Sequence, residues 1–233
     1  DITRLKEKAG ADVFVIEDCA QAFGAKIEAL PAGSFSDAAF YSFNRGKNLP
    51  TYEGGCITVR NPPLTKGRWG GVNSDGLAKR IEEEVSKISN AGALHTASLA
   101  FKSLAVSLSF NPYFYGLFFP FISCFKDNRV ALDFETRSFS LFQSGLGYSL
   151  LRKYQGSLKR RSENGTRLLS GLKDVEGIIL PRISEKIYPV FNRLPVVFKD
   201  EIKIEAVIRR LDKAGIESSR LYLRPLHHIF DGS

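Results

Sequence analysis

Four consecutive apolar residues, Val13-Phe14-Val15-Ile16, run straight into two acids, Glu17-Asp18. A short unbroken apolar run marks a strand buried on both faces, because no position is left for the alternating polar residue of a half-exposed sheet. Strands of that kind belong to parallel sheets, whose connections cross over through helices, so the run predicts an α/β fold with a mostly parallel sheet. Ligands of open α/β sheets collect at the carboxyl ends of the strands, and Glu17-Asp18 stand at such an end.

The surrounding residues extend the pattern. Ile2 and Leu5 lie at helical spacing among charges from Asp1 to Ala9, and Gly10 supplies a stop. Ala38 to Phe43 reads as a second strand, Asn44 to Leu49 as a loop and Cys56 to Val59 as a third strand. Between the last two, Glu53-Gly54-Gly55 lets the chain pass close to a ligand or another strand. With 43% hydrophobic residues among 233, the chain can bury one large core or two smaller ones.

Beyond Asn90 the composition changes. A charged helix is expected around Ala78 to Lys87, whereas Ser103 to Phe125 holds no charged residue at all. Asn111-Pro112, Gly116 and Pro120 interrupt that stretch, which favours a buried or subunit-facing helical hairpin over a membrane span. A monotopic membrane contact, with Lys102, Lys126 and Arg129 facing anionic head groups, is the alternative. Ser140 to Leu172 reads as one long helix with interruptions; Tyr188 to Phe198, Glu201 to Ala214 and Ile216 onward read as strand, helix and strand, a small α/β unit.

The formal charge of +8 is spread along the chain and suits anionic partners such as phosphorylated small molecules. Nucleic acid is not expected, since no recognition helix or aromatic-basic motif accompanies the charge. Cys19, Cys56 and Cys124 stand far apart, and with His95, His227 and His228 they form no zinc pattern, so reduced thiols in a cytoplasmic protein and no metal are expected. The sequence has no methionine and opens at Asp1 in the middle of a helical pattern, so its true N-terminus is expected upstream.

Three stretches carry the chemistry in order: Glu17-Asp18-Cys19-Ala20-Gln21-Ala22-Phe23-Gly24, then Gly33 through Ser42-Phe43-Asn44-Arg45-Gly46-Lys47-Asn48-Leu49, then Glu53-Gly54-Gly55. Singly each residue is ordinary: Asp18 a cap, Lys47 a solvated lysine, Ser42 a strand residue. Jointly, in this order and spacing, they closely resemble the DegT/DnrJ/StrS family of pyridoxal-phosphate (PLP) dependent sugar aminotransferases, which have the aspartate-aminotransferase fold. The similarity is sharpest over Val15 to Asn61 and continues more weakly from Ser140.

The resemblance implies that Lys47 forms the Schiff base with PLP and shuttles the proton. Asp18 would pair with the pyridine nitrogen, Gln21 would lie by the ring and Ser42 would hold the phosphate. Chemically this is sound: an amine next to the cofactor carbon can remove and return a proton, and a carboxylate on the ring nitrogen keeps it charged. Weaker substrate contacts are implied for Asn44, Tyr52 and His227. Asn44 stands where the family often has histidine, and Tyr52 where glycine is common. Retention of Lys47 favours amino transfer over the dehydration of a related branch that replaces this lysine with histidine.

The same resemblance divides the chain into the C-terminal part of a PLP-binding large domain (1–90), a hydrophobic insertion (91–139) and a linking helix with a partial small domain (140–233). The family's glycine-rich phosphate turn and ring-stacking residue would lie upstream of Asp1, so this stretch alone should bind PLP poorly. For the intact enzyme the expectation is a homodimer transferring an amino group, from a donor such as glutamate, to a keto group of a nucleotide-linked sugar in polysaccharide or glycan assembly. A catalytically idle homologue with a scaffold role, at a membrane through 103–125, is the competing expectation.

Overall fold

The structure, a computed structural model, describes residues 2–9, 13–59, 74–109, 136–200, 204–216, 218 and 220. In chain order the elements are α1 (Ile2–Ala9), β1 (Ile16–Asp18), β2 (Lys26–Ile27), β3 (Leu30–Pro31), β4 (Ala38–Ser42), β5 (Gly55–Val59), α2 (Ser74–Ser86), α3 (Ala93–Ser109), α4 (Leu141–Leu172), β6 (Ile178–Ile179), β7 (Ile187–Tyr188), β8 (Val197–Phe198) and α5 (Ile204–Lys213). The fold is mixed α/β. The chain divides into two compact units, one of residues 1–164 with 183–192 and one of residues 165–182 with 193–233.

In the first unit, β1 pairs with β4 in parallel, Asp18 opposite Phe40, and β4 pairs with β5 antiparallel, Ser42 opposite Gly55. The sheet is therefore partly parallel rather than mostly so. Loop 43–54 between β4 and β5 contains no helix, and this direct return gives the antiparallel pairing. A second small sheet has the order β3-β2-β7.

The apolar run is displaced from its expected place. The strand covers Ile16–Asp18, while Val13, Phe14 and Val15 precede it in an extended lead-in. Nor are both faces buried. Residues in register share a face, and on the face shared by Ile16, Ala38, Phe40 and Ile57 cover is uneven: Ala38 is buried while Ile16 stays open at 63% and Ile57 at 54%. Glu17 and Ala39, on the other face, are buried. Beyond Ala38 the first face is left uncovered by the described residues, and an apolar run buries on two sides only where both are covered.

The core of this unit lies between the loops at the sheet's carboxyl end and helix α4. Leu49, Tyr154, Leu158 and Val190 are buried together, with Phe23, Ala25, Phe43 and Leu150 packed around them. The Phe23 ring meets Tyr154, Tyr41 and Phe43 at centroid separations of 5.2, 5.5 and 5.7 Å. Each such large apolar side chain stabilises by roughly 1.5–3 kcal/mol when fully buried, so the loops bearing the sequence motif rest on the best-packed part of the unit.

Helix α4 is a single uninterrupted 32-residue helix despite its glycines. A capping box begins it: Ser140 Oγ accepts from Gln143 N at 3.2 Å while Gln143 Oε1 accepts from Ser140 N at 3.1 Å. In the second unit β6 pairs antiparallel with β8, and α5 ends where Gly215 N donates to Asp212 O and Ile216 N to Leu211 O. The expected strand from Tyr188 to Phe198 is instead two short strands in different sheets. Pro189 and Pro195 lack the N–H a ladder needs, and they break it. The expected final strand lies largely outside the described residues. So does most of 103–125, of which Ser103 to Ser109 form the end of α3; no described helix is long and apolar enough to cross a membrane.

Candidate active site

At the carboxyl end of the parallel pair, alternation along the strands assigns the side chains. Asp18 is in register with Phe40, and Ser42, two residues further along β4, shares that face, so carboxylate and hydroxyl project from one side of adjacent strands. Glu17 goes to the other side, where it is buried and spent on structure. Its Oε2 accepts from Gly33 N at 2.9 Å, and its Oε1 accepts from Phe35 N at 2.8 Å and Ser36 Oγ at 2.9 Å. Of the two acids at the strand end, only Asp18 is available to a ligand.

Asp18 also caps. Its Oδ1 accepts from Ala20 N at 2.9 Å and so starts the turn 20–24 that carries Gln21. Its Oδ2 accepts no hydrogen bond among the described residues. The modest role available to an isolated aspartate and an outward-facing oxygen thus coexist in one side chain.

Lys47 lies in the loop after β4, half-buried, and its Nζ makes no hydrogen bond or ion pair among the described residues. The residues beside it are tightly held. Asn48, buried, donates from Nδ2 to Gln21 O and Phe23 O, both at 3.1 Å, and its Oδ1 accepts from Arg161 Nη1 at 3.0 Å. Tyr154 Oη donates to the same Phe23 carbonyl at 2.5 Å. Asn192 Nδ2 reaches both Gln21 Oε1 and Gly46 O at 3.2 Å. Two Asn48 hydrogen bonds and the Asn192 bridge stitch the Asp18–Gly24 turn to the Lys47 loop, and among the described residues the lysine tip is unengaged between anchored neighbours.

The base of the loop is closed as well. Phe43 N donates to Gly54 O and Thr51 N to Phe43 O, both at 2.8 Å, and Asn44 bridges Tyr52. Glu53 O accepts from Thr51 Oγ1 and Gln143 Nε2, each at 3.0 Å, while its carboxylate lies 3.4 Å from His95 Nε2 on α3. Ser42 Oγ accepts from Asn44 N at 3.4 Å. Asn44 and Tyr52 therefore sit together at the neck, and His227 lies outside the described residues.

Sequence reasoning missed Asn48, Arg161, Tyr154 and Asn192. Asn48 neighbours the lysine and could have been suspected from a polar residue preceding the apolar Leu49; the other three are 113 to 171 residues from the groups they touch and send no local signal. The electrostatics are those of a packed support. Burial pushes the Tyr154 hydroxyl up to about 12, with Arg161 pulling the other way. Burial, then the Glu17 and Asp18 carboxylates, push the Cys19 thiol up to about 11.

Residues 1–92 match the DegT/DnrJ/EryC1/StrS aminotransferase family. A Methanocaldococcus jannaschii protein, MJ1066, is 26% identical over 231 residues, covering 96% of this chain and 49% of that protein. The UDP-N-acetyl-3-dehydro-alpha-D-glucosamine 3-aminotransferase of Acidithiobacillus ferrooxidans is 34% identical over 108 residues, 42% of this chain and 29% of that one. Spr1654 of Streptococcus pneumoniae, solved in a PLP form, shares the fold with a TM-score of 0.62 at 18% identity, covering 98% of this chain and 50% of that one. The chain thus spans at most about half the length of these relatives. Residues 1–92 thus resemble the DegT/DnrJ/EryC1/StrS aminotransferase family, and the chain shares the fold of a solved sugar aminotransferase.

Proposed function

We propose that the intact protein is a PLP-dependent sugar aminotransferase that moves an amino group from a donor such as glutamate to a keto group of a nucleotide-linked sugar, supplying polysaccharide or glycan assembly. The observation that carries this reading is the Lys47 amine, unengaged among the described residues and held between anchored residues on a loop stitched to the turn that Asp18 begins. An amine, a carboxylate and a hydroxyl in this relation fit the cofactor's three demands. Lys47 would hold it covalently, Asp18 would face its ring nitrogen and Ser42 its phosphate, with Gln21 beside the ring.

Bound PLP supplies an electron sink for the charge left when a proton leaves the donor's α-carbon. The protein's part is the proton itself: Lys47 Nζ takes it and returns it to the neighbouring carbon, a transfer that requires the amine to be positioned to within hydrogen-bond reach. The nucleotide-linked sugar is supported by the A. ferrooxidans relative's substrate and by the net charge of +8. A homodimer in the cytoplasm is part of the same proposal.

The test is the absorbance of the intact protein with PLP before and after adding glutamate or glutamine. Conversion to the pyridoxamine form supports amino transfer; a static spectrum would favour an idle homologue. Lys47→Ala should abolish the absorbance of lysine-bound cofactor. If the variant keeps it, Lys47 is not the attachment point.

A further inference from the structure

Tyr52 has φ of 75°, in the left-handed region that a bulky aromatic residue rarely occupies. Glycine would sit there without strain, and the chain uses glycine two and three residues later at Gly54 and Gly55. Backbone strain of this kind persists only where surrounding contacts impose it. Here the contact is specific: Tyr52 Oη donates to Ser103 O on α3, 3.2 Å away. The next residue, Glu53, reaches the first turn of the same helix at His95. Both residues belong to the neck of the Lys47 loop, where Tyr52 is bridged to Asn44.

We propose that Tyr52 is a positioning residue: its hydroxyl ties the neck of the Lys47 loop to α3, and through that neck fixes where the Lys47 amine is presented. The inference rests on the reading of Lys47 as the cofactor-bearing lysine. It gives α3, which opens the segment expected to be an insertion, a part in the site without touching the cofactor. The strained backbone is the consequence of keeping a side chain long enough to reach the helix at a position where the main chain favours none.

Two variants of the intact protein separate positioning from simple structural support. Tyr52→Phe keeps the ring and the strain but removes the tie; Tyr52→Gly removes both. The readouts are the unfolding midpoint in urea, the PLP dissociation constant from absorbance and the rate at which borohydride fixes PLP on Lys47, read by peptide mass. Loss of one hydroxyl hydrogen bond at the neck should weaken PLP binding or slow trapping by about fivefold in Tyr52→Phe. Tyr52→Gly should match wild type or exceed it in unfolding midpoint while trapping PLP more slowly. Parallel loss of stability and PLP binding in Tyr52→Gly, or wild-type PLP constants in both variants, would overturn the inference while leaving Lys47 in its role. Wild-type protein that traps no PLP at Lys47 overturns the functional reading and this inference together.

Discussion

Arg161, on the inner face of α4, donates a 3.0 Å hydrogen bond to Asn48, the residue immediately after Lys47. That bond sets the side-chain amide of Asn48 so that its nitrogen faces two carbonyls of the Gln21–Phe23 turn. A long helix thereby orients a loop through one planar group.

Asn48→Ala should consequently be more damaging than its small size change suggests. It leaves the half-buried Arg161 without this acceptor and removes the amide donor from Gln21 O and Phe23 O. The expected loss is about 2–3 kcal/mol, measured by urea denaturation, with a matching loss of PLP trapping at Lys47. A cost under about 0.5 kcal/mol would show that the loop is held chiefly by Leu49.

Tyr154→Phe isolates the hydroxyl that donates to Phe23 O. Because Asn48 also serves that carbonyl, the cost near neutral pH should be only about 1 kcal/mol.

Alkaline pH should also weaken the fold. Tyr154 is raised from 10.0 to about 12 and Cys19 from 9.0 to about 11, so the folded state holds these protons more tightly than the unfolded one. Their stabilisation is complete below about pH 9 and is lost as pH climbs toward 12. Tyr154→Phe should flatten the upper part of that decline in a series of unfolding curves; an unchanged slope would place the titration elsewhere.

Cys19 is 2% exposed with a thiol held neutral, whereas Cys56 is exposed. In a Cys124→Ser background, iodoacetamide at pH 8 should label Cys56 well before Cys19, since the thiolate is the reactive form. Peptide mapping over time decides it, and equal rates would mean that the turn after β1 opens readily.

Two glycines should respond differently to alanine. At Gly55 a Cβ would run into the Tyr41 carbonyl oxygen, so β4 and β5 would have to part, at about 2–3 kcal/mol. At Gly46, φ is 82° but an added Cβ would meet nothing within 4 Å among the described residues, so only the conformational penalty of about 1–2 kcal/mol remains. Denaturant midpoints of the two variants give the comparison.

What the sequence disclosed was local. Strands β4 and β5 and the loop between them were legible from apolar runs and a glycine pair, α4 from its periodicity. The direction of β5 was not, because the path of the connection rather than strand composition decides it. Two-sided burial of Val13 to Ile16 failed since burial belongs to what covers a strand. Tyr188 to Phe198 failed where two prolines were outweighed by an apolar count. At the candidate site the family resemblance names Asp18, Gln21, Ser42 and Lys47, whereas Asn48, Arg161, Tyr154 and Asn192 make their contacts across chain separations over which no spacing rule operates.

The alternation of β1 makes the two neighbouring acids non-interchangeable. Glu17 is clamped inward by three donors and Asp18 is turned outward, solely because successive strand residues point to opposite sides. Inserting or deleting a single residue between the lead-in and Glu17 would swap their destinations, sending the clamp into solvent and the outward acid into the packed side. Length is therefore a stricter constraint on this strand than composition, and an indel here should be less tolerable than nearly any point substitution.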